Sequence, residues 1–173
     1  MAIDTPRNHP GEANSSSSDE LVTPRFDLGP YARSMSTGEI RAAVASESDD
    51  TRDCATRMFR HFNADDYLYA LDAAEELLAK NPRHALANAC ASECRTRIER
   101  EFSALVRPRA IPRVVAGGAQ VVGAGLDHRE GFLLALIDGC LTIEALTDVS
   151  AMSSFDVLRG MAKLMRLGII ELR

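Results

Sequence analysis

Tryptophan is absent from the 173 residues and only 5% are aromatic, which argues against an aromatic-rich β-sandwich. No apolar run approaches the ~20 residues needed to cross a bilayer, and the N-terminal stretch lacks the apolar segment of a secretory signal. Positive charge is also short. Twenty Lys and Arg against 25 Asp and Glu give a formal charge of −5, which disfavours non-specific binding of the whole protein to nucleic acid or to a membrane surface. The cytoplasm is the expected compartment, with no membrane partner.

Catalytic patterns are missing too. There is no phosphate-cradling Gly loop with a Lys, no nucleophile elbow and no helical His pair with a Glu. Gly117-Gly118 and Gly123-Ala124-Gly125 are too irregular for a dinucleotide loop and read as linker glycines. Cys54, Cys90, Cys94 and Cys140 lie inside apolar helical patterns, so they read as reduced rather than as a disulfide framework, and Cys90 and Cys94 read as buried small hydrophobes. Cys90 and Cys94 are four apart, but no second pair or nearby His completes a metal set. No catalytic, cofactor or metal residue is assigned, and the expectation is a protein that is not an enzyme.

What is present is the balance of a folded helical protein: 46% hydrophobic and 26% charged residues, rich in Ala, Leu, Glu, Arg and Met. The length suits one ordinary domain or two small ones. Residues 1–47 carry Pro6, Pro10, Pro24 and Pro30, a serine run at 15–18, and few large apolar side chains beyond Phe26, Leu28 and Tyr31. They cannot bury enough surface to offset the entropy of ordering and are predicted to be a disordered tail. A phosphorylated or partner-binding segment is the functional alternative to a solvated leader.

From Asp49 the pattern changes. Cys54, Ala55, Met58, Phe59 and Phe62 share one helical face, with Asp49 and Asp50 at the positive end of the helix dipole. After residues 63–66, Tyr67, Ala70, Leu71, Ala74, Leu77 and Leu78 form a second stripe that Asn81-Pro82 stops. The two predict a helical hairpin. A third helix is predicted from about Arg83 to about Val106, with Leu86, Cys90, Cys94, Ile98, Phe102 and Leu105 in one row and Glu93, Arg95, Arg97, Glu99, Arg100 and Glu101 on a charged face.

The stretch Asp66-Tyr67-Leu68-Tyr69-Ala70-Leu71-Asp72-Ala73-Ala74-Glu75-Glu76-Leu77-Leu78-Ala79-Lys80-Asn81-Pro82 resembles the second half of a tetratricopeptide repeat. Residues 48–106 then hold about one and a half repeats, whereas ~3 normally stand alone, because each repeat buries its face only against a neighbour. Either the C-terminal part packs on the hairpin or the protein forms a homodimer through it.

Residues 107–127 carry Pro108, Pro112 and several glycines and read as a linker, with a short strand at 111–116 and local basic charge from Arg107, Arg109 and Arg113. From His128 three short helices follow. Phe132, Leu133, Leu136 and Ile137 pattern the first, which Asp138-Gly139 ends. Thr142 caps the second, and Ser153-Ser154-Phe155-Asp156 opens the third as a variant capping box. Gly168 ends that helix, and Ile169-Ile170-Glu171-Leu172 alternates as a strand.

Three short helices followed by Leu167-Gly168-Ile169-Ile170 resemble a winged helix-turn-helix. Residues 60–173 are also similar to a group of poorly characterised bacterial proteins, in which a tetratricopeptide-like segment precedes a motif close to Asp127-His128-Arg129-Glu130-Gly131-Phe132-Leu133-Leu134-Ala135-Leu136-Ile137-Asp138-Gly139. The expected fold is mainly α: a disordered tail at 1–47, a tetratricopeptide-like hairpin at 48–106, a linker at 107–127 and a winged-helix-like module at 128–173.

The expected function is a non-enzymatic protein–protein interaction adaptor or regulatory scaffold in the bacterial cytoplasm. Its partner-binding candidates are Tyr67 and Leu71 on the hairpin, Arg95 on the third helix, and Arg159, Lys163 and Arg166 in the C-terminal module. The alternative is a DNA-binding transcriptional regulator using a helix-turn-helix at 142–167, with Ser154, Arg159, Lys163 and Arg166 on the exposed face of its recognition helix. Three cations fall short of the ~6–10 phosphate contacts of a strong binder, so the adaptor is preferred. His128 reads as a helix-start residue before a ligand or proton-transfer group, and Asp138 as ordinary turn chemistry.

Overall fold

A computed structural model describes residues 49–173, and the tail expected at 1–47 lies outside them. The described chain is mainly helical. Its first helix, α1 (Asp49–Asn63), begins with Asp49 and Asp50 at the positive end of the dipole, ends on Arg60 and His61, and buries Cys54, Ala55, Met58 and Phe62. Asp65 turns the chain with a left-handed φ of 57°, a conformation that short polar side chains tolerate. α2 (Tyr67–Lys80) follows and is covered on both sides, by α1 and by α3 (Ala85–Phe102). Its alanines at 70, 73 and 74 are all buried and let the neighbouring backbones approach.

The third helix is shorter than its apolar row. His84 caps its start through Nδ1, which accepts the Ala87 N–H at 3.0 Å, and the chain turns after Phe102. Residues 103–106 therefore leave the helix, and Leu105 is exposed instead of continuing the row, while Val106 is buried.

The segment expected as linker is largely structured. β1 (Pro112–Val114) pairs antiparallel with β2 (Ile170–Leu172), Val114 facing Ile170 and Pro112 facing Leu172. The carbonyls of Pro108 and Ala110 accept the N–H groups of Glu144 and Ile143, both at 2.9 Å. A short helix, α4 (Gly118–Gly123), follows. These bonds attach residues 108–116 to the C-terminal module, which leaves only 103–107 between it and the hairpin.

α5 (His128–Leu136) starts with a reciprocal capping box: Asp127 accepts the N–H groups of Arg129 and Glu130, and Glu130 accepts the N–H of Asp127 at 2.8 Å. Thr142 caps α6 (Ile143–Ser150), accepting the Ala145 N–H at 3.2 Å. A three-residue turn at 151–153, with Ala151 left-handed at φ 54°, leads to α7 (Ser154–Arg166), capped by Ser153. Val157, Met161 and Leu164 give α7 an apolar face within the core shared with Leu133, Leu146 and Ile169. Helix α5 crosses it at Gly160, where a Cβ would sit 2.4 Å from Leu133 Cδ1.

The opposite face of α7 holds Phe155, Arg159, Ala162, Lys163 and Arg166 at helical spacing. It packs on the hairpin rather than facing water: α7 lies against α3 and is ion-paired to α2.

Candidate functional site

The seam between hairpin and C-terminal module is built from charge. Arg159, only 7% exposed, places its guanidinium between two α2 carboxylates, bonding Asp72 through one nitrogen and Glu75 through the other at 2.9 Å. Lys163, equally buried, lies 2.5 Å from Asp72 and 2.6 Å from Glu130 of α5. Arg166 reaches Asp66 at 2.8 Å, at the entrance to α2. From α3, Arg95 donates to Glu75 at 2.9 Å and its guanidinium lies over the Phe155 ring at 4.7 Å. Tyr69 places its ring under the Lys163 ammonium at 5.6 Å.

Burial and pairing act in opposite senses on these cations. Burial pulls the Lys163 ammonium down, but hydrogen bonds to Asp72 and Glu130 more than compensate and hold it above the ordinary lysine value. Arg159 is likewise lowered by burial and raised further by the attraction of Asp72 and its bonds to Asp72 and Glu75. Both stay charged. Beside them, burial raises the Asp127 carboxyl, and the N–H groups of Glu130 and Arg129 outweigh it, leaving that acid below its usual range.

Beside this network lies a cleft of about 370 Å³. Tyr69, Asp72 and Glu75 of α2 form one wall, and Ala124 to Glu130 of the α5 entrance form the other, with Arg159, Lys163 and Leu167 also lining it. His128 stands in the first turn of α5, exposed on the cleft wall, so a helix-start position and a place in the cleft coincide in one residue. Asp138 does turn chemistry: its Oδ1 accepts the N–H groups of Cys140 and Leu141, which hold its carboxyl down.

The six residues expected to meet a partner divide. Leu71 is fully buried and Tyr67 nearly so, its hydroxyl bonded to Asp65 and Arg97, so both are core rather than contact surface. Arg159 and Lys163 were expected on an exposed face and are instead buried against α2, because Asp72 and Glu75 there, with Glu130 of α5, match their charge. Arg95 and Arg166 remain half-exposed while paired across the seam. Sequence reasoning missed Tyr69, Asp72, Glu75 and Glu130. One signal was available: Leu68, 1% exposed, stands off the apolar stripe on the side of α2 that carries Asp72 and Glu75, so something had to cover that side.

No family model, curated protein or solved structure matches the chain. Among the described residues, no group of three or more His, Cys, Asp or Glu side chains is placed to hold a metal ion, and no helix is long and apolar enough to cross a membrane. Cys90 and Cys94 place their sulfurs 3.8 Å apart in the core, where the shared hydrogen bond and burial push the Cys90 thiol up. The seam presents paired charges, an aromatic face and a cleft between two packed units.

Proposed function

We propose that this protein is a non-enzymatic adaptor of the bacterial cytoplasm, in which a tetratricopeptide-like hairpin and a winged-helix-like module together receive another protein at their seam. The observation that carries the reading is the cleft. Two packed units meet there across paired charges, with Tyr69 38% exposed and His128 exposed among the residues that line it. An exposed tyrosine with a polar rim is typical of surfaces that bind protein segments.

The test is cross-linking and affinity capture with the full chain, alongside Tyr69→Ala and His128→Glu variants shown by circular dichroism to be folded. A specific partner of the unaltered protein should be reduced at least several-fold by both variants. Equal recovery by folded variants would count against the cleft.

The transcriptional-regulator reading keeps one supporting observation, the three-residue turn joining α6 and α7, which suits a helix-turn-helix. The inward orientation of Arg159 and Lys163 weighs against it. A mobility-shift assay at low salt that shows no duplex binding would remove it.

A further inference from the structure

The sequence of α7 is that of a surface helix, apolar on one face and basic on the other, yet its basic face is filled. What fills it is the hairpin: α3 packs against it, with Arg95 over Phe155, and α2 supplies the carboxylates. Asp72 and Glu75, three residues apart on α2, meet Arg159 and Lys163, four apart on α7, and Asp66 meets Arg166 at one end. Tyr69 adds an aromatic ring against Lys163.

Resting on the protein-binding reading above, we propose that the basic face of α7 is the partner-receiving surface. The carboxylates of α2 pair with it as an internal ligand, and the partner presents an acidic helix of the same pattern. Three observations favour this. Paired charges taken from water gain little over the hydrated charges they replace, so a competing helix with like carboxylates exchanges equivalent pairs. The face also carries Phe155 and Ala162, which suit the side chains of a helix better than a phosphate backbone. The chain between the end of α3 and the first bond into the C-terminal module is short, residues 103–107, so opening confines the movement to one hinge. As a tethered competitor α2 acts at an effective concentration of the order of mM, which the partner must overcome.

The experiment supplies the acidic helix from a second full-length chain. One chain carries Asp72→Asn and Glu75→Gln, which weakens the internal ligand and keeps the basic face. The other carries Arg159→Glu and Arg166→Glu, which drives its own α2 off α7 and leaves that acidic helix available. Mixed at about 10 μM and low salt, the two should sediment as a 1:1 complex, with affinity falling roughly tenfold or more as salt rises from about 50 to about 500 mM.

A folded pair that stays monomeric overturns the proposal. So does a folded first chain that binds a duplex oligonucleotide and not the second chain, because the face would then be a nucleic-acid surface. Should either chain fail to fold, the half-exposed pair serves: Asp66→Arg in one chain and Arg166→Glu in the other. A dimer in that mixture, absent from either chain alone, supports the proposal, and a monomeric mixture overturns it. If these chains stay apart while Tyr69→Ala still loses a captured partner, the acidic-helix identity fails and the cleft reading stands.

Discussion

Replacing Lys163 by Met probes the network at its least solvated point. The ammonium and the Glu130 carboxylate are both 7% exposed and 2.6 Å apart, so the substitution leaves a buried charge with only the Asp127 N–H, 2.8 Å away, as a donor. Asp72 keeps Arg159 and is less affected. Removing one partner of a buried pair costs ~3–5 kcal/mol, and the lower end is expected here because that N–H remains. With a urea m value of about 1.5 kcal/mol/M, a loss of ~3 kcal/mol lowers the unfolding midpoint by about 2 M. Glu130→Gln in the same chain removes the stranded charge and retains an acceptor for the capping box, so the double variant should lie only ~1–2 kcal/mol below the unaltered protein. The assay is urea unfolding followed by circular dichroism across the four-member cycle. A single variant within ~0.5 kcal/mol of the parent, or additive single effects, would refute a coupled buried pair.

Further outcomes follow from other parts of the structure. Gly160→Ala should destabilise by ~1–3 kcal/mol despite better helix propensity, since the added Cβ meets buried Leu133 at 2.4 Å; an unchanged melting temperature would contradict that packing. Glu76 is held down to about 2, first by its bond with Arg57 and then by Cys54, so it stabilises the fold above pH ~4.5, and that stabilisation is lost as pH falls toward 2. Because its side chain is 44% exposed, Glu76→Gln should cost only about 1 kcal/mol at neutral pH and should flatten the acid limb of the stability curve. Of the four thiols, Cys140 alone is exposed, so a thiol reagent should titrate one group rapidly in the native protein and the other three only on unfolding.

Local chemistry made much of the fold legible. The caps at Thr142 and Ser153 act within three residues, and each was readable from spacing alone. The apolar stripes of α1 and α2 named their buried sides for the same reason. The covering of the polar face of α7 was not legible, because amphipathic spacing is identical whether that face meets water or a complementary set of acids. Arg159 and Glu75 are 84 residues apart in sequence, and Arg166 and Asp66 are 100 apart. The pairing of β1 with β2 was hidden likewise: a short strand at 111–116 was expected, but its partner across the module depends on how three helices fold back.

The chain contains only two lysines, Lys80 and Lys163, which gives the closed seam a direct internal comparison. Their side chains are 32% and 7% exposed, respectively. Brief amine acylation of the native protein at low salt, read by mass spectrometry of its peptides, reports the two rates in one sample. With α7 closed on α2, Lys163 reacts only through opening, and its rate should be roughly tenfold or more below that of Lys80, converging as the protein unfolds. Equal rates in the native protein would mean that the basic face of α7 stands open to solvent, and would contradict the closed seam.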